Sequence, residues 1–390
     1  MQDKLHERAS LFKATTRKEK VERIPHLANL FSWKFYDAGL KMSEALFDYR
    51  QIEEAVRHSL ESYDFDLLGE TGERNPVKVS SILGASEYQI NDEKNAINVV
   101  DQCFMEHEEY TKLIKDPIAF LWSTLLPRKC KMLQNDNNSE VFRQFINEYN
   151  KNNEEYGVRA SIVSGEFQIP DFMDYMSPIG VFDSGFEILF NFFRGIKGLS
   201  LDMRKDPKLL EEAIEALENV FLNPTLNAAD GYMTKGSNPD VCYDTYTLML
   251  AHTILNPKQF ERFYWPYLKK AYTYAEKYDK IGYFFIEGSF ARFYDFFNDM
   301  PKNRFALHSE QDDIFVTKKS VHETVVGGMP VELLGYGTPT ECVDYAKKLI
   351  DELSYDYGYV FSENKMVSFA SDCRSENFKA VCDYVSSRRI

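Results

Sequence analysis

Between residues 281 and 386, short apolar runs alternate with helical patterns four times, and no other feature of the chain narrows its fold as far. Residues 281–286 (IGYFFI) read as a buried strand that stops at Glu287, followed by a helical pattern over 290–297. Residues 304–307 form a second strand ending at His308, with a helix over 314–324 behind it. Residues 325–330 make a third, running through Gly327 and Gly328. Thr338, Pro339 and Glu341 then supply a capping box and a first-turn proline for a helix reaching about residue 353. Residues 357–362 (YGYVFS) are the fourth strand and 376–386 the last helix. Regular strand–helix alternation implies a parallel sheet. No GxGxxG follows any of these runs and no P-loop is present. The expected fold is therefore α/β, a (β/α)8 TIM barrel formed by residues 1–390 as one domain, with residues 1–20 as a helical N-terminal extension.

The first half is less regular. Residues 23–27 look like a strand entry after a basic helix, and an amphipathic helix over 51–62 leads into Phe65, Asp66, Leu67 and Leu68. The polar stretches 135–139 and 150–155 read as surface loops. Glu166 and Phe167 follow the apolar pair Ile162 and Val163, which places them at a strand end; with Trp33 they are the expected substrate contacts. Residues 173–176 and 182–193 are rich in Phe, Met and Tyr, a composition that suits either an aromatic pocket or a helical core stripe.

A net charge of −15 argues against nucleic-acid partners and anionic membranes, both of which need clustered Lys and Arg. The N-terminus lacks the apolar core of a secretory signal, and no apolar run approaches the roughly 18 residues of a membrane span. Six scattered cysteines without a CxxC pair read as reduced thiols, so a cytoplasmic location is expected.

In a parallel barrel the residues just past each strand face the active-site mouth. That rule selects Glu287, His308, Glu310 and Lys365. His308 and Glu310 stand two apart, on one face of extended chain, and adjacent strands lie about 5 Å apart, so Glu287 can join them. Three readings stay open. One His with two carboxylates and an open position suits catalytic zinc; the same trio suits metal-free acid–base chemistry; or Glu310 caps the next helix and His308 is a satisfied half-buried side chain.

A family pattern runs through the same region. KQFERFYWP at 258–266, then FFIEGSF, then Asp299, Met300 and Pro301, then a strand followed by Asp312, Asp313 and a lysine resemble the uroporphyrinogen decarboxylase-like superfamily. GGMPVELLGYGTPTECVDYAKKLID, YGYVFS and SENFKAV extend the resemblance over residues 255–385, and residues 15–70 are similar in style. The resemblance implies a (β/α)8 barrel with one of two activities. Decarboxylases of the family grip porphyrin carboxylates with an Arg-rich N-terminal segment. The corresponding residues 25–34 (PHLANLFSWK) have no paired arginines, so a tetra-anionic porphyrin is not the expected substrate. The other branch comprises corrinoid-dependent methyltransferases. Its coenzyme M members bind zinc through His-x-Cys and a later Cys, slots held here by Phe285, Glu287 and Lys365. Methyltransferases of bacterial O-demethylases are a closer likeness: Glu287 and His308 keep their Glu-to-His interval of twenty intervening residues, while the upstream Glu slot holds Tyr272 and Glu310 stands in as third ligand.

The resemblance thus implies a methyltransferase that takes a methyl group from a small substrate, such as a methoxylated aromatic, and passes it to Co(I) on a partner corrinoid protein. Zinc on Glu287, His308 and Glu310 would polarise the leaving oxygen, or protonated His308 would donate to it, with Lys365 holding the departing phenolate. A homodimer is compatible with this reading. The alternative is a metal-free lyase or decarboxylase acting on a small carboxylate anchored by Lys365. A non-catalytic barrel that binds a corrinoid or a regulatory partner would instead show a mouth packed with apolar side chains in place of convergent polar ones.

Overall fold

The computed structural model describes residues 2–73, 76–85, 88–99, 103–134, 138–173, 184–232 and 238–390. The expected C-terminal elements are present, each with an identifiable cause. The regular strands are β4 (in two segments, Val241–Tyr243 and Thr245–Met249), β5 (Gly282–Ile286), β6 (Phe305–Ser309), β7 (Thr324–Met329) and β8 (Tyr359–Glu363). An antiparallel hairpin (Tyr88–Asn91 with Ala96–Val99) stands apart from the barrel ladders; the three short barrel strands before β4 are β1 (Leu27–Ala28), β2 (Leu67–Leu68) and β3 (Asp171–Met173). All pairings between them are parallel, so every C-terminal end opens on one face.

Parallel ladders join β1 to β2 and β3 to β4, and run in order from β4 to β8. The ring returns from β8 to β1 through the bridge between His26 and Phe361. At the remaining seam β2 and β3 lie in contact, without a ladder among the described residues. The architecture is the expected α/β barrel, with strands far shorter in its first half than in its second.

Side-chain parity builds two apolar layers. Tyr283 and Phe285 of β5, Ala306 of β6, Val326 of β7 and Val360 of β8 point into the barrel, where they meet Leu27, Leu67 and Phe172. The alternate residues Phe284, Ile286, Phe305, Leu307, Val325 and Phe361 face the surrounding helices. Burying each such side chain contributes roughly 1.5–3 kcal/mol. The N-terminal helix α1 (Gln2–Thr16) closes the bottom of the barrel, with fully buried Phe12 against the Tyr243 ring at 6.1 Å.

Helix starts follow local chemistry. Asp48 caps α2 (Tyr49–Ser62) by accepting from the Arg50 N–H at 3.0 Å. Later in the chain, Asp313 caps the helix Ile314–Ser320, and Thr338 with Glu341 closes the capping box of the helix Pro339–Leu353. Glu310, offered above as a cap, instead accepts the Gly288 N–H at 3.1 Å.

The first half departs from the sequence expectation. Residues 150–155 are not a loop; they lie inside the long helix α3 (Ser139–Gly165). Its polar composition reflects solvent exposure on most sides rather than a break in structure. Of the stretch 135–139, residues 135–137 lie outside the described residues. Residues 184–232 form further helices between β3 and β4. Buried Glu187 ties them to the end of β4, accepting from the N–H groups of Leu250 at 2.8 Å and Ala251 at 3.0 Å and from the Tyr264 hydroxyl at 2.5 Å. Among the described residues, no helix is long and apolar enough to cross a membrane.

Candidate functional site

A cavity of about 190 Å³ opens at the C-terminal mouth of the barrel. The ends of the short strands supply most of its wall: Leu27, Asn29, Leu30 and Phe31 at β1, Gly69 and Glu70 after β2, and Phe172 and Met173 on β3. Tyr246 of β4, Tyr283 and Phe285 of β5, and Met366 beyond β8 complete it. The rings are mutually packed. Tyr246 and Tyr283 stack at 6.0 Å and 13°, and Phe172 meets Tyr283 edge-on at 4.8 Å. The described lining contains no Lys or Arg. Its polar members are Asn29, Glu70 and the two tyrosines.

His308 sits beneath this wall, fully buried inside the barrel. It belongs to β6 itself, because that strand continues to Ser309 rather than stopping at Leu307. Its Nε2 lies 2.8 Å from the main-chain oxygen of Glu363, which only accepts, so Nε2 carries the proton. Burial pulls the His308 imidazolium down to about 4, which leaves the ring neutral at neutral pH and Nδ1 without a proton. Nδ1 therefore accepts from the Tyr283 hydroxyl at 2.5 Å. The close approach of β7 needs a glycine: Gly327 has φ +103°, and a Cβ there would stand 2.9 Å from Cδ2 and Nε2 of His308.

Glu363 braces the site twice. Besides receiving His308 on its main chain, its carboxylate accepts the Asn29 N–H at 2.7 Å. The Asn29 side-chain Nδ2 is shielded from solvent and has no hydrogen-bond partner among the described residues. The loop that carries Glu70 is held from behind by buried cations. Lys34 Nζ donates to the Glu70 carbonyl at 3.3 Å, and Arg159 Nε to the Thr71 carbonyl at 3.1 Å. Burial lowers the Lys34 ammonium to about 8.

The structure redistributes the residues chosen from sequence. Glu287, His308 and Glu310 share inward parity, but they do not form a zinc site as placed. Both His308 nitrogens are engaged by protein partners, and Glu310 is drawn to the Gly288 amide. No cluster of three or more His, Cys, Asp or Glu arranged to hold a metal occurs among the described residues. The donor set therefore does not fit the ion. The same two hydrogen bonds keep His308 from acting as a direct proton donor to a ligand. Lys365 is absent from the cavity lining; its Nζ lies 3.9 Å from the Glu332 carboxylate and 3.8 Å from that of Asp372.

The three substrate contacts expected from sequence are corrected as well. Glu166 caps the end of α3, on the side from which β3 enters the barrel, and pairs with Arg57 at 2.8 Å in an exposed setting. Ile162 and Val163 are helical, so the strand end inferred from them does not exist. Phe167 packs on the outer core of that side, with its carbonyl accepting from Arg8 at 3.1 Å. Trp33 is fully buried between barrel and helices, its indole N–H donated to the Cys373 carbonyl at 2.9 Å. In the aromatic stretches, Met173 reaches the cavity while Phe186, Phe190 and Phe193 are core; residues 174–183 lie outside the described residues.

Sequence reasoning passed over Asn29, Glu70 and Tyr283. The signals existed: Asn29 and Glu70 stand just past β1 and β2, where the strand-end rule applies, and Tyr283 has the inward parity of Phe285.

Comparison with known proteins places this geometry in context. The family model described as uroporphyrinogen decarboxylase (URO-D) matches residues 176–387. Among solved structures, a methyltransferase from Methanosarcina mazei is similar with a TM-score of 0.60 at 13% identity, over 97% of this chain and 98% of that one. At that identity the likeness establishes the fold. No curated protein sequence matches.

Proposed function

Since the chain belongs to the uroporphyrinogen decarboxylase family, we propose that its cavity binds a small methylated aromatic whose methyl group is passed to the reduced cobalt of a corrinoid carried by a partner protein. One observation carries this reading: the mouth of the barrel holds a small aromatic-walled cavity whose described lining has no cationic side chain. A cavity of about 190 Å³ matches one substituted benzene ring, since an apolar cavity of about 150 Å³ takes up benzene. A tetrapyrrole with several carboxylates needs more room and cationic partners. The methyltransferase of similar fold adds support.

Reduced corrinoid cobalt would supply the nucleophile for the methyl carbon. The carbon–oxygen bond of the ether breaks with its electron pair on the aromatic oxygen, the methyl bonds to cobalt, and the phenolate takes a proton from water as it leaves. Side chains of this protein bind and orient. Phe172, Tyr246, Tyr283 and Phe285 present rings to a flat ligand and exclude water. Fixing the donor against the incoming nucleophile turns an encounter of two bodies into a step between neighbours. No step here is routed through zinc, because the described side chains do not fit it.

The test uses the full chain with chemically reduced cobalamin and a panel of 2-methoxyphenol, anisole and 1,2-dimethoxybenzene. Enzyme-dependent loss of the Co(I) absorbance, matched by demethylated product, is the expected result; silence across the panel sinks the reading. Lys365→Ala separates it from the lyase alternative. That variant keeps turnover within about threefold under methyl transfer, because Lys365 lies off the cavity, whereas a carboxylate anchor would lose orders of magnitude.

A further inference from the structure

The loops that follow β1 and β8 both enter the cavity wall, one with Leu30 and Phe31 and the other with Met366. Where they meet, the N–H groups of Phe31 and Trp33 donate to the Val367 carbonyl at 3.0 and 3.3 Å, and the Val367 N–H donates to the Asn29 carbonyl at 3.0 Å. Past Val367 the turn of the hairpin Tyr88–Asn91 and Ala96–Val99 reaches this seam. Asn95 Nδ2 donates to the Ser32 carbonyl at 2.7 Å and to the Ser368 carbonyl at 3.0 Å. Both neighbours can only accept, so the amide must face them with its nitrogen and commits one proton to each loop. Ser32 Oγ adds a bond to the same Ser368 carbonyl at 2.9 Å. Asn95 is only 4% exposed, although Asp92, Glu93 and Lys94 beside it lie in the open. Its φ of +49° is a left-handed conformation that asparagine tolerates better than most residues. The body of the hairpin has its own anchorage. Tyr88, Ile90 and Ile97 pack on the cluster of Phe35, Met42, Leu46 and Tyr49, and Asp92 accepts the Ser43 N–H at 2.9 Å.

We infer that this hairpin is a strap across the seam between β1 and β8, and that Asn95 is a positioning residue that holds Phe31 and Met366 in the cavity wall. Between these two strands the sheet is thin: isolated bridges join His26 to Phe361 and Leu30 to Val367. The carbonyls of Ser32 and Ser368 converge on one amide. Without it two shielded acceptors lose their donor, which costs more than the bonds are worth while made. Ser32 is next to Phe31, and Ser368 is two residues past Met366, so slack at either carbonyl passes straight to the wall. Asn95 itself is absent from the cavity lining and acts through these neighbours. It shapes the wall whatever ligand the cavity takes.

Hydrogen exchange of the full chain, read by mass spectrometry without ligand or corrinoid, tests the assignment. Asn95→Gly keeps the left-handed turn and removes both donors; Asn95→Asp keeps the shape and replaces the N–H groups with an acceptor. Each should speed exchange in residues 29–33 and 366–370 by about tenfold or more, while residues 88–99 and β5–β7 keep their protection. Lys94→Ala, an exposed neighbour in the same turn, should leave every segment within about twofold. Acceleration confined to the hairpin would make Asn95 a turn residue only, and acceleration everywhere would make it a general support of the fold. Either result, or unchanged exchange in the two loops, would overturn the inference. Where 2-methoxyphenol is turned over, Asn95→Gly should raise KM about fivefold or more and leave kcat within about twofold. A fall in kcat at unchanged KM would likewise count against a positioning role. Silence in the methyl-transfer assay leaves the exchange result standing, so the strap and the proposed reaction fail separately.

Discussion

The two halves of this barrel are built differently, and the cavity belongs mostly to the less regular one. From β4 onward, strands of five or six residues pair in an unbroken parallel series, apart from the interruption within β4. Before β4, two of the barrel strands are only two residues long and one is three, with helical segments of up to 27 residues between elements. Yet Asn29, Phe31, Glu70 and Phe172 come from that half, against Tyr246, Tyr283, Phe285 and Met366 from the other. A long ladder fixes its residues rigidly and supplies the floor. Short strands quickly give way to loops, whose backbones bring polar groups to the rim.

What replaces the ladder in the first half is buried polar bonding. Asp202 accepts from Arg194 Nε at 2.7 Å and Nη2 at 3.0 Å and from the Tyr110 hydroxyl at 2.8 Å, and it pairs with His107 Nδ1 at 2.9 Å. It is almost wholly buried. The largest effect expected is therefore for Asp202→Ala, which leaves Arg194 buried without its counter-charge and should cost about 3–5 kcal/mol in denaturant unfolding. Hydrogen exchange then tells the halves apart. Amides of residues 103–134 and 184–220 should lose protection while those of β5–β8 keep theirs; a uniform loss would mean that the halves unfold as one unit.

A smaller effect tests the rigid half through pH. Burial lowers His308 to about 4 and His252, at the end of β4, to about 3, against 6.5 for a free imidazole. Between pH 6.5 and those values the unfolded chain binds more protons than the folded one, so stability rises with pH there. Their contribution is complete above pH 6.5 and is lost as the medium is acidified toward pH 4. His252→Leu should make the acid limb of a stability-against-pH curve shallower. An unchanged slope would remove His252 from this account.

The smallest effect is expected at Glu166. Its ion pair with Arg57 is exposed and solvent-screened and lies on the face opposite the cavity, so Glu166→Gln should leave the denaturant midpoint essentially unchanged. Ligand binding and turnover should not change. A marked loss of affinity would move the functional site away from the mouth described above.

Much of the regular half was legible because each of its strands is long enough to show an apolar run and each helix start carries its own cap, as Thr338, Pro339 and Glu341 do. The short strands β1 and β2 left a trace only in the few apolar residues around Leu27 and Leu67. Helix α3 was misread because its exposed surface mimics a polar loop. Of the site, the strand-end rule selected the C-terminal face of the barrel. The aromatic-walled cavity is lined from β1 to β5 and by Met366, and His308 and Glu310 stand outside that lining.

The sequence by itself determined the alternation of strands and helices, the parity that sends Tyr283, Phe285 and His308 inward, and the glycine that β7 requires. These depend on neighbours a few residues apart, so local pattern suffices. Tertiary structure alone decided that His308 gives its proton to the carbonyl of Glu363 and takes one from Tyr283, and that Asn29 comes to the same mouth. Hydrogen-bond polarity is settled by groups 25 to 334 positions away along the chain. No spacing rule reaches that far, because the packing of distant parallel strands side by side is what brings them together.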